Sequence, residues 1–328
     1  MSARSPHRCT ARAHSNIALI KYWGKRDAEL NLPAVGSISV TLDALYSDTR
    51  VGFFAGAEHD SVDIGGRRVD AAPFSAFLDL VRERAGIGHR ARVESWNNFP
   101  TGAGLASSAS GYAALALAAS RAAGLDPDPR ELSILARRGS GSAARSIFGG
   151  FVEMHRGRSA DGLDAYAQPL LEAADWPLEV VVAITERSAK RINSSTGMRG
   201  SAGASDFYPA WVEHADHDIA AMHTTIAARD FQALGELTEH SCLKMHGLML
   251  STRPGLLYWN AATVAAMHAI RDLRAAGTPV FFTIDAGPQV KAICEPAHAP
   301  MVAEALAGVP GVLETRRSAL GPGAHVLD

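Results

Sequence analysis

A run of glycine and hydroxyl residues at positions 100–108 has the composition of a phosphate-binding loop. Gly102 and Gly104 lack a Cβ atom, so the backbone there can turn sharply and approach a phosphate closely. A helix predicted from about Ser108 would point its unpaired N–H groups and its positive dipole end at the same place. The residues of this candidate phosphate loop are Pro100, Thr101, Gly102, Ala103, Gly104, Leu105, Ala106, Ser107 and Ser108.

The loop matches neither GxxxxGK[ST] nor GxGxxG, so it is not one of the common nucleotide fingerprints. Ser107 and Ser108 add hydroxyl donors and could reach a magnesium ion. The alternative is a glycine-rich connection whose serine caps a helix. A second turn of the same kind, at residues 139–142, favours phosphate binding, because two amide-rich turns suit a ligand with several phosphates.

Asp285 and Arg145 are the charged residues with the most suggestive positions. Asp285 ends the apolar segment at 280–284, where a carboxylate would face a cleft and could accept a proton from a hydroxyl within reach. The alternative is an aspartate that only caps a turn. Arg145 follows the second glycine-serine turn, and its guanidinium fork matches a carboxylate in bidentate fashion. A plain surface arginine is the alternative there.

Composition restricts the class of protein. The 328 residues carry a formal net charge of −2, which argues against a protein that coats nucleic acid. The three cysteines form no CxxC pair, which favours a reducing compartment over a disulfide framework or a zinc site. The sequence shows no secretory signal and no apolar run long enough for a membrane helix, so we expect a cytoplasmic protein.

The elements that must position these residues are predicted to be mixed. Strands are expected at residues 16–23, 37–42, 92–96, 151–154, 178–185, 280–284, 290–294 and 313–317, and helices at 73–85, 108–123, after Pro129, within 206–276 and at 298–308. Asn260 is expected to cap one helix and Gly277 to end it. Without strict alternation this order predicts an α+β fold of two domains, 1–185 and 186–328, with a cleft between them.

Four segments, in this order along the chain, resemble the diphosphomevalonate decarboxylase family of the GHMP kinase superfamily. They are NIALIKYWGKRD at 16–27, NNFPTGAGLASSASG at 97–111, RRGSGSAARSIFGGF at 137–151 and FTIDAGP at 282–288. The resemblance covers residues 11–296. It implies an N-terminal domain like domain 2 of ribosomal protein S5 and a ferredoxin-like C-terminal domain.

The resemblance also implies a reaction and its partners. ATP, with Mg²⁺, would phosphorylate the 3-hydroxyl of mevalonate 5-diphosphate. Loss of that phosphate and of CO₂ would then give isopentenyl diphosphate, ADP and phosphate. A homodimer is implied as well, with a small-molecule substrate and without nucleic acid or a membrane as partner.

The family's functional residues can be placed on this sequence. Asp285 would orient or deprotonate the 3-hydroxyl, Arg145 would bind the substrate carboxylate, and Lys25 would be a catalytic cation. The implied substrate contacts are Asn16, Tyr22, Lys25, Ser140, Ser142, Arg145 and Ser194. The implied ATP contacts are Pro100, Gly102, Ala103, Gly104, Leu105, Ser107 and Ser108, with Ser107 and Ser108 also near Mg²⁺. Trp23 is expected to pack in the core, and His246 is given no catalytic role.

Three alternatives stay open on the sequence alone. Phosphomevalonate is a rival substrate, because the run at 193–196 offers few basic donors for a second phosphate. A kinase that stops after phosphoryl transfer would share the phosphate loop but would not need Arg145. A non-enzymatic RNA-binding module would share the S5-like fold, although the net charge counts against it.

Overall fold

The computed structural model of the chain describes residues 8–100, 105–188 and 190–327. Thr101, Gly102, Ala103 and Gly104 of the candidate phosphate loop lie outside the described residues. The first part contains β1 (Arg8–Ile20), β2 (Lys25–Asp27), β3 (Leu32–Pro33), β4 (Ser37–Phe54), β5 (Ser61–Ile64), β6 (Arg67–Arg68), α1 (Ala72–Ala85), β7 (Arg90–Asn97), α2 (Ser107–Ala122), α3 (Pro129–Gly139), a 3₁₀ helix (Gly141–Ile147), β8 (Phe151–Met154) and β9 (Ala167–Leu171).

The C-terminal part of the chain, from β10 onward, is richer in helices than the N-terminal part. It contains β10 (Glu179–Ile184), α4 (Ser194–Ala204), α5 (Tyr208–Ala228), α6 (Phe231–Leu250), α7 (Ala261–Ala275), β11 (Val280–Ile284), β12 (Val290–Cys294), α8 (Ala299–Ala307), β13 (Glu314–Ala319) and β14 (His325–Val326). None of the helices in the described ranges combines the length and the apolar character that crossing a membrane requires.

Two larger sheets organise the described chain. The first has the order β14-β1-β4-β7-β5-β6, with β8 on β4 and β9 on β8. The second has the order β11-β12-β10-β13, so β11 is an edge strand. β10 belongs to this second sheet although it precedes residue 185. The α+β class is confirmed, whereas the division of the chain at residue 185 stays a prediction.

The alanine-rich helix α2 packs against β1 and β4 of the first sheet. Its side chains at Ala109, Ala113 and Ala116 are fully buried. Small side chains let the helix axis lie close to the sheet. The close packing fixes the start of α2, where Ser107 and Ser108 lie, relative to the end of β1.

Local signals set most element ends where the sequence predicted them. The side chain of Asn260 accepts the N–H of Thr263 at the start of α7, and Gly277 adopts a left-handed conformation after its end. β1 differs from the prediction, because it ends at Ile20 and residues 21–24 leave the sheet. β4 is longer than the predicted 37–42 because its alternating pattern continues to Phe54.

Candidate active site

A cleft of about 620 Å³ lies where the ends of β1, β11, α2 and the 3₁₀ helix meet. Its wall includes ten of the residues singled out from the sequence: Asn16, Tyr22, Lys25, Ser107, Ser108, Ser140, Ser142, Arg145, Ser194 and Asp285. Residues from both parts of the chain therefore share one cavity of the size that small-molecule sites have.

Two predicted loop residues do not line this cleft. Leu105 is 3% exposed and packs in the core, while its carbonyl oxygen accepts a hydrogen bond from the Ser15 hydroxyl at 2.6 Å. Pro100 is half-buried and is not among the wall residues. The leucine side chain thus anchors the loop to the core instead of facing the cavity.

Asp285 comes directly after β11 and lies between two lysines. Its Oδ1 is 2.6 Å from Nζ of Lys21 and its Oδ2 is 3.0 Å from Nζ of Lys291. The lysine side chains are each 1% exposed, and the aspartate side chain is 24% exposed. The carboxylate is therefore anchored by buried cations while it still reaches the cavity.

This setting controls the charge of Asp285. Burial by itself would raise the pKa of the carboxyl, but the two ammonium groups outweigh it and hold the pKa far below its usual range. Burial also lowers the pKa of Lys291, against the opposing effect of the aspartate. The carboxylate stays ionised near neutrality, so it is a strong hydrogen-bond acceptor and a weak base.

Arg145 projects from the 3₁₀ helix and is 3% exposed. Its Nε donates to Ser39 Oγ at 2.9 Å, Nη1 donates to Ser37 Oγ, and Nη2 donates to Asn16 Oδ1 at 3.0 Å. Burial lowers the pKa of Arg145 to about 10, although the charge of Asp285 raises it. The guanidinium remains a cation at neutral pH and is held rigidly.

Asn16 has a second duty besides lining the cavity. Its amide nitrogen donates to the Ser142 carbonyl at 3.0 Å and to Ser146 Oγ at 2.8 Å. Asn16 therefore ties β1 to the 3₁₀ helix and orients Arg145 at the same time. Because β1 pairs with β4 and β14 in the first sheet, that sheet sets the position of Arg145.

Tyr22, Lys25 and Lys190 form the part of the wall that favours anions. The Tyr22 hydroxyl is buried and has no hydrogen-bond partner among the described residues, and burial raises its pKa, so it stays a proton donor. Lys25 donates to Ser195 Oγ at 3.2 Å, and burial, with a contribution from Arg199, lowers its pKa.

Lys190 closes this wall on the side of Asp285. It donates to Ser194 Oγ and to the Ala286 carbonyl, both at 2.8 Å. Burial lowers its pKa to about 8, while the charge of Asp285 opposes that shift. Two ammonium groups and a phenol thus face a cavity that has few carboxylates.

The start of α2 forms the remaining wall. Ser140 Oγ lies 3.4 Å from Ser108 Oγ and 3.3 Å from Ser142 Oγ, so hydroxyls from both glycine-serine turns adjoin one another. The N-terminus of a helix with adjacent hydroxyls is suited to phosphate oxygens. The structure therefore brings the two turns together, as a ligand with several phosphates requires.

A metal ion would have to rely on oxygen ligands here. No group of three or more His, Cys, Asp or Glu residues in the described ranges could hold a metal. Mg²⁺ commonly binds substrate phosphates with only one or two protein ligands and several waters. The Ser107 and Ser108 hydroxyls fit that pattern, so the donor set is compatible with a magnesium-nucleotide.

Sequence analysis missed Lys291 and Lys190. Lys291 lies in β12, a strand whose residues are all buried, and a lysine there requires a buried partner. That signal could have paired it with Asp285. Trp23 is 1% exposed, which confirms its predicted core position, and His246 is buried against Trp259.

The fold and the cleft together define an enzyme of two α+β parts that binds a small, multiply anionic molecule. Residues 13–167 match the diphosphomevalonate decarboxylase-like N-terminal domain, and residues 180–318 match the mevalonate 5-diphosphate decarboxylase C-terminal domain. The chain belongs to the diphosphomevalonate decarboxylase family, and it is an enzyme of the decarboxylase type.

Individual relatives match over nearly the whole length. A structure described as MDDEF in complex with MVAPP, AMPPCP and magnesium is 39% identical, with TM-score 0.91, covering 99% of this chain and 100% of that one. Mevalonate diphosphate decarboxylase from Staphylococcus aureus is 38% identical, with TM-score 0.93 and 99% of both chains covered. Phosphomevalonate decarboxylase from Haloferax volcanii is 36% identical over 98% of both chains.

Proposed function

We propose that this enzyme decarboxylates mevalonate 5-diphosphate at the expense of ATP, giving isopentenyl diphosphate, ADP, phosphate and CO₂. The observation that carries the proposal is the meeting of Asp285 and Arg145 in one cleft beside the start of α2. They come from different parts of the chain, 140 positions apart by their numbering. The relative whose structure holds MVAPP, AMPPCP and magnesium supports the same ligands here.

Arg145 is proposed to bind the substrate carboxylate. Its protein contacts use Nε and one N–H on each terminal nitrogen, and a guanidinium has five N–H groups. Among the described residues, one N–H on each terminal nitrogen therefore remains without a partner, which is the pair that a bidentate carboxylate contact needs. The neighbouring serines, Ser140 and Ser142, are proposed to complete this end of the site.

Asp285 is proposed to orient the 3-hydroxyl for attack on the terminal phosphorus of ATP. Its depressed pKa makes it a poor proton store, so hydrogen bonding and charge are its main contributions. As the hydroxyl oxygen bonds to that phosphorus, the bond from the phosphorus to ADP breaks and the hydroxyl proton passes to an oxygen of the transferred phosphoryl group. The C3–O bond then breaks and its electron pair leaves with the phosphate. The C1–C2 bond breaks in turn, its electron pair forms the C2=C3 double bond, and C1 departs as CO₂. A fixed negative charge stabilises the positive character at C3 during this step.

The part of the wall formed by Tyr22, Lys25 and Lys190 is proposed to bind the substrate's 5-diphosphate. Tyr22 supplies a donor with no partner among the described residues. Lys25, next to Ser195, and Lys190, next to Ser194, each supply an ammonium group in the same cleft. Ser107, Ser108 and the loop glycines Gly102 and Gly104, which lie outside the described residues, are proposed to hold ATP, with Mg²⁺ neutralising phosphate charge when it is bound. Positioning and electrostatics supply most of the catalysis in such phosphoryl transfers.

The deciding experiment compares mevalonate, its 5-phosphate and its 5-diphosphate in a coupled ADP-release assay with trapping of CO₂. The proposal expects equal amounts of ADP and CO₂ with the diphosphate. ADP without CO₂ would instead identify a kinase that stops after phosphoryl transfer. Absence of diphosphate-dependent ADP release would refute the proposed substrate.

Phosphomevalonate decarboxylation is the second candidate. The Haloferax volcanii relative bears that name and matches 98% of both chains. The run at 193–196 has no cation of its own, so the ammonium groups at the α4 end of the cleft are those of Lys25 and Lys190. A higher kcat/KM with the 5-monophosphate in the same assay would select this candidate.

We further propose that the enzyme is a cytoplasmic homodimer that does not bind nucleic acid. The net charge of −2 and the family resemblance support this proposal. Light scattering of the purified protein measures the mass directly. A monomer at micromolar concentration, or retention on a nucleic-acid column at physiological salt, would contradict the corresponding part.

A further inference from the structure

Helix α6 runs along the free edge of β11 and hydrogen-bonds to its outward-facing backbone. Glu239 Oε1 accepts the N–H of Phe282 at 3.0 Å, and Cys242 Sγ accepts the N–H of Ile284 at 3.2 Å. The thiol also donates to the Ile284 carbonyl at 3.6 Å. An edge strand exposes alternate N–H groups, and side chains of α6 satisfy them here. The last of these anchors lies one residue before Asp285.

The neighbouring residue on α6 contacts the other member of the ion pair. Ser241 Oγ accepts the backbone N–H of Lys21 at 2.9 Å, and Ser241 is 1% exposed. Consecutive α6 residues therefore hold the backbone at Lys21, just past the end of β1, and at Ile284, the end of β11. The two strands belong to different sheets, and their ends carry the cation and the carboxylate that meet at 2.6 Å.

We propose that Ser241 and Cys242 are positioning residues that set the Lys21–Asp285 contact for catalysis; this inference rests on the function proposed for Asp285. Neither side chain lines the cleft, so both act through the backbone that they hold. Burial raises the pKa of the Cys242 thiol to about 11, so at neutral pH it keeps the proton that it donates. A thiol can donate and accept at once, which is what the two backbone groups of Ile284 require.

His246 does not replace this anchor. Its Nε2 lies 3.3 Å from the Ile284 carbonyl and also 3.3 Å from Trp259 Nε1, which can only donate. A neutral imidazole nitrogen cannot accept from the indole and donate to the carbonyl at once. The Cys242 thiol remains a donor to that carbonyl in either tautomer.

Substitutions at Cys242 separate hydrogen bonding from packing. Serine keeps a donor and an acceptor, whereas valine fills similar space and has neither. We expect kcat for CO₂ release to fall about 10–100-fold in Cys242→Val with little change in KM, because a small misplacement of a catalytic group costs that much. Cys242→Ser should retain most of the wild-type kcat. A residue needed only for apolar packing would show the opposite order.

Cys294 offers a matched control. It is a fully buried thiol at the far end of β12, in the same sheet, away from Lys291. Cys294→Val and Cys294→Ser should leave kcat close to the wild-type value, whatever they do to stability. Ser241→Ala removes the hydrogen bond to the backbone of Lys21 and should lower kcat with KM little changed. This variant also serves if Cys242→Val does not fold.

The outcomes are decisive in both directions. The proposal is wrong if folded Cys242→Val keeps the wild-type kcat, or if Cys242→Ser falls as far as the valine variant. Inactivity of the wild type toward all three mevalonate substrates would instead sink the proposed function. In that case a crystal structure of Cys242→Val still tests the positioning, because the distance from Lys21 Nζ to Asp285 Oδ1 should exceed 2.6 Å.

Discussion

The Asp285 carboxylate lies between two buried ammonium groups, and its replacement by asparagine tests what the charge contributes. Asp285→Asn keeps the size and removes the negative charge, which leaves Lys21 and Lys291 buried without a counter-ion. Breaking a buried ion pair from one side costs about 3–5 kcal/mol. Because Asp285 is itself 24% exposed, we expect the lower end, a loss of about 3 kcal/mol in the free energy of unfolding.

The loss of activity should be larger than this destabilisation explains. Removing one preorganised electrostatic group at a reacting centre lowers kcat by roughly 10²–10³-fold. We therefore expect at least that decrease in CO₂ release, with nucleotide affinity nearly unchanged, because the described ion-pair contacts of Asp285 are to Lys21 and Lys291 and not to the start of α2. Titration calorimetry measures the nucleotide affinity, and denaturant unfolding at neutral pH measures the free energy of unfolding.

A double variant separates charge balance from catalysis. The group formed by Lys21, Lys291 and Asp285 has one net positive charge in the wild type. Asp285→Asn combined with Lys291→Met has the same net charge. Most of the lost stability should return, whereas CO₂ release should stay as low as in the single variant. A single variant with kcat within about tenfold of wild type, or a double variant that regains turnover, would refute the assignment of the catalytic charge to Asp285.

Three further predictions follow from the cleft. Arg145→Lys keeps the charge but loses the guanidinium fork, so KM should rise and kcat should fall. Because Ser37 and Asn16 lose hydrogen bonds, the free energy of unfolding, measured with a denaturant, should fall by about 1–3 kcal/mol. Tyr22→Phe should weaken substrate binding by about 1.5–3 kcal/mol, measured by calorimetry, without loss of stability, because the hydroxyl has no partner among the described residues. Substrate affinity should fall as the pH rises above about 8, where Lys190 loses its proton, and Lys190→Arg should abolish that dependence; an unchanged profile would contradict it.

The elements whose limits depend on local chemistry were predictable from the sequence. Asn260 and Gly277 delimit α7 because capping and left-handed backbone are properties of a few neighbouring residues. The end of β11 just before Asp285 was predictable in the same way, because the apolar run at 280–284 stops there. The limits of β1 were not predictable in this way, because Ile20 ends the strand only where α6 accepts the backbone of Lys21.

The contacts between distant residues could not be predicted without a fold. Lys21 and Asp285 are 264 positions apart, and no periodicity along the chain relates them. Leu105 was assigned to the ATP site as a member of a motif, but a motif does not say which way a side chain points. Lys291 was open to prediction, since a lysine in an otherwise apolar strand must find a negative partner when it is buried.

Lys21 and Asp285 directly follow strands of two different sheets, which links the catalytic charge to how those sheets are placed relative to each other. A lysine that is 1% exposed carries a large desolvation cost, and here the carboxylate from the other sheet offsets it. Any arrangement that moved β1 away from β11 would leave both charges less well compensated, so the electrostatics favour the arrangement that completes the cleft. For the same reason, the depressed pKa of Asp285 is a property of the joined sheets and of no single element. The anchors on α6, which hold both strand ends, therefore lie where a change in packing would alter both the cleft's geometry and its charge.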